Sequence, residues 1–459
     1  MPWKQGEGHD VSLRTMTSRI HAQARARFQE QLEGIGAVAV IPTATQKVRN
    51  DDSHYPFRPS SDFWYLTGFE EPDACLVLFG SREQDSSPRS VLFLRERDKE
   101  REIWDGRRLG IERAAKTLGI DEARDVKKLW AELPTLLEGV ERIVWRFGDD
   151  EGRDRRMLET FTGLRDHARG KVKPPLAILD PAPYLHEQRL IKSPDEIECM
   201  RRAARITSEA HRDLMAFVEP GKNEREAQAF LDHRYRNERS TGAAYGHICA
   251  GGANACVLHY VENDAPLVDG DLILVDSGAE WEFYAGDVTR TFPVNGRFTD
   301  DQRALYGIVL DAELKAIDTV KPGASFDDVH SAALDVIVDG LLRLGLLSGE
   351  RAALIESGAF RRFFMHKTSH WLGLDVHDQG SYVVDGKSRT LEPGMVLTIE
   401  PGIYVDPEDS EVDARWRGIG IRIEDDVLVT KDGHEILTSA APKGLDEVEE
   451  ACRGVVAAL

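Results

Sequence analysis

The second half of the chain says the same thing twice, and this constrains its fold more than any other feature. "FVEPGKNEREAQAFLD" (Phe217–Asp232) is matched by "TVKPGASFDDVHSAALD" (Thr319–Asp335). In each, one helical pattern stops at Pro-Gly and another begins within a few residues. Downstream, "VDGDLILVDSG" (Val268–Gly278) aligns with "LEPGMVLTIEPG" (Leu391–Gly402) when Gly270 is set on Gly394. That register lays Asp276 over Glu400. Each unit therefore reads helix, turn, helix, then an apolar strand ending in an acid. Two such units can pack about an approximate two-fold axis and bring their acids to one centre.

The acids continue beyond the first strands. In "DLILVDSGAEWEFYAGDVTRT" (Asp271–Thr291), an antiparallel hairpin with its turn centred between Trp281 and Glu282 sets Asp276 opposite Asp287. Facing Cα atoms in such a pair lie about 5 Å apart. "MVLTIEPGIYV" and "GIGIRIEDDVLVT" repeat the device, with Glu400 in one strand and Glu424 in the next. An isolated acid near a turn is ordinarily just solvated. Four in equivalent places behind apolar strands, with Glu424 beside Ile421 and Ile423, need a partner, because an unpaired buried charge is costly. Neighbouring carboxylates repel unless protonated or bridged by a cation; four match two divalent ions. "FFMHKTSHWLGLDVHD" (Phe363–Asp378) adds His366, His370 and His377. The His366-x-x-x-His370 spacing is not that of a zincin, because Lys367 stands where the general-base Glu belongs. Oxygen-rich coordination with one imidazole suits manganese, with cobalt, iron or zinc as the alternatives.

At 459 residues the chain is long enough for two domains. The first half alternates strand-like runs, "AVAVIP" (Ala37–Pro42), "CLVLFG" (Cys75–Gly80), "SVLFLR" (Ser90–Arg95) and "RIVWRF" (Arg142–Phe147), with helical patterns in "RRLGIERAAKTLG" and "DVKKLWAELPTLLEG". This is the pattern of an α/β domain. Prolines crowd Lys173–Tyr184, and Ser193, Pro194 and Glu196 then open a helix as a capping box. The expected organisation is an N-terminal domain at 1–175, a linker at 176–192 and a catalytic domain at 193–459. A net charge of −21 argues against nucleic acid as partner. No run of 18 apolar residues is present, so no membrane span is expected, and "MPWKQGEGHD" carries no apolar signal segment. Five scattered cysteines, Cys75, Cys199, Cys249, Cys256 and Cys452, fit reduced thiols in the cytoplasm.

These segments resemble the bacterial Xaa-Pro aminopeptidase (aminopeptidase P) family. The likeness is carried by "HYVENDAPLVDGDLILVDSGAEWEFYAGDVTRTFPVNGRFT", the histidine segment, "LEPGMVLTIEPGIY" and "RGIGIRIEDDVLVT". "YPFRPSSDFWYLTGFEEPDACLVLFG" and "EIWDGRRLG" extend it into the first half. The resemblance implies a creatinase-like α/β N-terminal domain followed by an α+β pita-bread catalytic domain with a pseudo-two-fold internal repeat. It implies a dinuclear manganese centre, with Asp276 on one metal, His370 and Glu400 on the other, and Asp287 and Glu424 bridging. A hydroxide shared by the metals would attack the carbonyl preceding proline, with Glu400 moving protons and His377 steadying the oxyanion. His259 and His377 match the family's catalytic histidines. His366, Tyr404 and Arg422 match positions lining or supporting its substrate pocket. Trp104 matches a tryptophan that reaches a neighbouring subunit's site in family tetramers, so a dimer or tetramer is expected. Lys367 and Thr368 depart from the family's Gly and apolar residue, which bears on the shape of the adjoining pocket. The implied activity is release of the first residue from peptides with proline second. The nearest rival is a prolidase confined to Xaa-Pro dipeptides, whose ligand spacing is generally longer than the 24 positions from Glu400 to Glu424. A non-catalytic protein on the same scaffold would have lost ligand positions; this chain keeps all five.

Overall fold

The computed structural model describes residues 9–80, 89–166 and 173–455; the first eight residues, where a signal segment was sought, lie outside it. The chain forms two compact units, Met1–Gln188 and Arg189–Leu459. The proline-rich segment expected as a linker is built into structure. Ala177–Leu179 pairs in parallel with Arg142–Val144, and Glu187–Leu190 is a short helix.

In the first unit a six-stranded mixed sheet runs in the order Glu122–Asp125, Arg89–Leu94, Cys75–Phe79, Ala37–Pro42, Arg142–Val144, Ala177–Leu179. Its central pairs are antiparallel and its outer pairs parallel. The apolar runs read from sequence occupy the middle, where both faces are covered: all five residues of Cys75–Phe79 are buried. Leu133 and Met157, from the helices Leu129–Leu136 and Glu151–Asp166, pack with Val38, Val77, Phe93 and Ile143. By contrast the helix Lys99–Asp105 buries no residue and leaves Trp104 82% exposed.

The second unit makes the internal repeat visible as hydrogen bonds. In the first half Gly221 N–H donates to Leu267 O (2.9 Å), Leu267 N–H to Lys222 O (2.7 Å) and Glu224 N–H to Ala265 O (3.0 Å). The second half repeats the set: Gly323 to Leu391 (3.0 Å), Leu391 to Ala324 (2.8 Å) and Phe326 to Arg389 (2.8 Å). The long helices correspond in the same way, Pro194–Phe217 and Glu224–Asn237 with Asp300–Thr319 and Phe326–Arg343. All four start with a capping box, at Ser193, Asn223, Thr299 and Ser325.

Each half also supplies strands. Ile248–Gly251, Leu272–Asp276 and Thr289–Pro293 form one antiparallel sheet; Val396–Ile399, Asp425–Val429 and His434–Ile436 form another. The two-residue period of a strand sorts their side chains. Ile273, Val275 and Phe292 enter a large core with Leu397, Ile399 and Val427. Leu274 packs on the other face with Ile248, Ala250 and Tyr404. Asp276 projects from that second face.

Candidate metal centre

The first pair of acids is set by a turn. Glu282 and Phe283 both have positive φ, 48° and 62°, so the hairpin closes through them. Both central residues of a type I′ turn take that sign. Trp281 then faces Tyr284, and further down the ladder Asp276 faces Thr289, not Asp287. The turn lies one residue later than its sequence position suggested, which moves the register by two. Because the side-chain period is two, the shift changes the partner but keeps the face, and Asp287 remains a diagonal neighbour of Asp276. The strands converge closely here: a Cβ on Gly278 would lie 1.6 Å from the Gly286 carbonyl oxygen, so only glycine fits.

Glu400 and Glu424 do not sit within strands as expected; they occupy an interruption between them. Ile399 pairs with Asp425 and Gly402 with Arg422, leaving the two glutamates facing each other in the gap. Pro401 has no N–H to continue the ladder. The freed edge takes a different partner, since Glu400 N–H donates to Thr368 O (2.8 Å) and Thr398 N–H to His370 O (3.0 Å). This pairing draws the histidine segment alongside Glu400.

The side chains converge. His370 Nε2 lies 3.4 Å from Asp287 Oδ2 and 3.8 Å from Glu400 Oε1. One ligand atom each from Asp287, His370 and Glu424 fall within 4.8 Å of one another. Tyr245 O–H bonds Asp276 Oδ1 (2.7 Å) and is also bonded to Asp287 Oδ1, while Thr289 Oγ1 donates to Glu424 Oε2 (2.6 Å). Arg422 donates to Asp276 Oδ2 (2.6 Å), to the Tyr404 hydroxyl oxygen (2.8 Å) and to Thr289 Oγ1 (3.1 Å). His366 Nε2 bonds the Tyr404 hydroxyl (2.9 Å), and its other ring nitrogen is 3.8 Å from Glu400 Oε2. The His377 ring stands edge-on to His370 with centroids 4.4 Å apart. His259 and His377 are exposed. Lys367 is exposed too, whereas Thr368 is buried with its hydroxyl 2.8 Å from His330 Nδ1.

Sequence reading missed Tyr245 and Thr289. A lone tyrosine after a loop carries no motif, and Thr289 was legible only as a β-former in "DVTRT". Trp104 belongs to the other compact unit.

Electrostatics test whether a cation fits. Burial, reinforced by Asp287 and Glu400, drives the Glu424 carboxyl well above the ordinary carboxylate range, and burial likewise raises Asp287 and lifts Glu400 to about 7. At His370 burial opposes the charge, but the bond to Asp287 and the charges of Glu400 and Asp287 prevail and hold it at about 9. The acids are thus held in a place that disfavours their own charge, with the His370 imidazolium and the Arg422 guanidinium as nearby cations. Divalent ions resolve this conflict, and carboxylate oxygens with one imidazole form a fitting donor set.

Known proteins give the same picture. The model for metallopeptidase family M24 matches residues 198–431, and that for the aminopeptidase P N-terminal domain matches residues 21–145. The Xaa-Pro aminopeptidase of Escherichia coli K12 is 44% identical over 432 residues, covering 93% of this chain and 97% of that protein. That of Haemophilus influenzae is 42% identical over 427 residues, covering 93% and 95%. Aminopeptidase PepP of Pseudomonas aeruginosa matches with a TM-score of 0.91 at 44% identity, covering 95% of this chain and 98% of that one. Zinc-substituted aminopeptidase P of E. coli in complex with product also gives 0.91, at 43% identity over the same shares. The repeated halves of the second unit are accordingly those of a pita-bread fold, and the family implies a dinuclear divalent metal centre. The chain belongs to metallopeptidase family M24, within the Xaa-Pro aminopeptidase (aminopeptidase P) family.

Proposed function

We propose that this protein is a metal-dependent aminopeptidase that releases the N-terminal residue from peptides with proline in second position. The convergence of Asp287, His370 and Glu424 within 4.8 Å, in a chain of this family, carries the reading. Asp276, Asp287, His370, Glu400 and Glu424 would hold two divalent cations. Manganese is the proposed metal, because four carboxylates and one imidazole make a predominantly hard donor set. When bound, such ions supply activated water at neutral pH and polarise the scissile carbonyl.

The chain's own residues do the rest. Glu400, at the edge of the centre beside His370 and His366, would accept a proton and return it to the leaving nitrogen. His377, edge-on to His370, would donate to the developing oxyanion. His366, Tyr404, Arg422 and Asp276 form one hydrogen-bonded chain that fixes the substrate side of the centre. His259, which interacts electrostatically with His366 and His377, would be the second catalytic histidine. A special enzyme is needed because proline offers no N–H to a protease's backbone clamp and has a fixed φ. The acid-rich site suits a free α-amine instead.

The proposed setting is the cytoplasm, supported by five free cysteines. Among the described residues no helix is long and apolar enough to cross a membrane. A homo-oligomer, dimer or tetramer, is supported by exposed Ile103 and Trp104 side by side on one short helix; light scattering measures it. The test of function is a peptide panel under manganese, cobalt and zinc. Manganese-loaded protein should cleave Xaa-Pro-Yaa and leave Xaa-Ala-Yaa intact. Turnover of Xaa-Pro dipeptides alone would make it a prolidase, and indifference to proline would end the proposal.

A further inference from the structure

Immediately before the capped helix at Ser193, the chain buries two cations. Arg189 and Lys192 side chains are 3% and 1% exposed, and both are aimed at Asp378, itself 1% exposed. Lys192 Nζ donates to Asp378 Oδ2 at 3.1 Å. Arg189 Nη2 donates to Asp378 Oδ1 and to Asp375 Oδ2, the latter at 2.7 Å. Two cations and two carboxylates close a neutral quartet. Replacing such buried pairs by apolar residues is often neutral or stabilising, so stability alone is a weak reason to keep one.

Its location supplies another reason. Asp378 directly follows His377, and its N–H donates to Trp371 O (2.8 Å), directly after His370. The segment from His370 to Asp378 is thereby folded back on itself, and the two histidine rings come edge-on. Gly373 lets this closure happen: a Cβ there would lie 2.1 Å from Asp378 Oδ2. The cation side is anchored as well, because Lys192 N–H donates to Gly394 O (2.9 Å), at the foot of the strand leading to Glu400. The quartet ties both ends of the site to one buried carboxylate.

We propose that Arg189 and Lys192 are positioning residues that act through Asp378 to hold the His377 ring at its working angle beside His370. None of the four is among the proposed metal ligands, and their balanced formal charge allows the carboxylate behind His377 to be fixed without adding net charge to an acid-rich centre. The proposal rests on the aminopeptidase reading of the site.

The test is a double-mutant cycle. Lys192→Met removes one cation at similar length. It should lower kcat on a Xaa-Pro-Yaa peptide by 10-fold or more, leave KM within about 2-fold and leave the metal content at the wild-type value. In a His377→Ala background the same substitution should change kcat by less than 2-fold, because the group being positioned is gone. If Lys192→Met does not fold, Arg189→Lys carries the test: it keeps the charge but its shorter side chain withdraws the Nη2 donor that joins Asp375 to Asp378, and its effect should also vanish without His377. Effects that multiply independently of His377, or single variants with unchanged kcat, overturn the proposal. Wild-type protein that cleaves no Xaa-Pro-Yaa peptide defeats the aminopeptidase reading itself and the proposal with it.

Discussion

Thr289 and Glu424 are joined twice. The Glu424 N–H donates to the Thr289 carbonyl at 3.0 Å, and the Thr289 hydroxyl donates to Glu424 Oε2 at 2.6 Å. One residue comes from each half of the repeat, so this double link sews the halves together at the candidate metal centre. Thr289→Val keeps shape and backbone bond but deletes the hydroxyl that aims the carboxylate. Metal affinity should fall by about 10- to 100-fold, the usual effect of losing an outer partner of a ligand. Calorimetric titration of metal-free protein with manganese measures it; unchanged affinity removes Thr289 from the centre.

Asp287→Asn tests the bridging assignment from the side of stability. A ligand at 100 times its dissociation constant adds about 2.7 kcal/mol, worth about 5–10 °C in a domain of this size. Wild-type protein should show that gain with manganese, and the variant less than about 2 °C. Because burial already disfavours charge on Asp287, the metal-free variant should melt no lower than metal-free wild type. Two metals retained with full turnover would refute the assignment.

His377→Ala should separate chemistry from metal binding. Loss of an oxyanion donor lowers kcat by about 10²-fold or more, while manganese content should match wild type. Elemental analysis beside steady-state kinetics decides the point, and an unaltered kcat would exclude His377 from the reaction.

Acid should unfold the protein partly through two buried histidines that are not among the proposed metal ligands, His21 and His211. Burial, only partly opposed by hydrogen bonds to the Tyr65 and Ser277 carbonyls, lowers His21 and His211 to about 4 from an ordinary 6.5. Between those values the unfolded chain binds the extra proton, so stability rises with pH there. It is therefore lost as pH falls from about 6.5 toward 4, by up to about 1.4 kcal/mol per unit for each group. Urea unfolding of metal-free protein between pH 7 and pH 5 should fall more steeply for wild type than for His21→Gln or His211→Gln. Parallel curves would show that these rings titrate normally.

Much of this was legible without coordinates, because it is local. Ala37–Pro42 is a strand over the whole range its apolar run marked, and Ser193 caps the helix it was expected to cap. The repeat was readable because equivalent turns need equivalent residues: Pro-Gly, then Asn223 or Ser325 as cap. The acids stood out because a charge ending an apolar strand conflicts with that strand's own pattern.

What stayed hidden depends on contacts between distant segments. Glu282 and Phe283 carry no Asn-Gly or Asp-Gly signal, so the hairpin register came out two residues away from its expected place. Tyr245 and Thr289 gain meaning only when the strands bearing them meet the acids. Asp378 lies far along the chain from Arg189 and Lys192, and a buried ion cluster has no periodicity to betray it. Sequence by itself determined which side chains would conflict with their surroundings and that the two halves would match. Tertiary structure decided how those conflicts are resolved, because a buried charge is stabilised only by the particular atoms packed within a few ångströms of it, and no spacing along the chain records them.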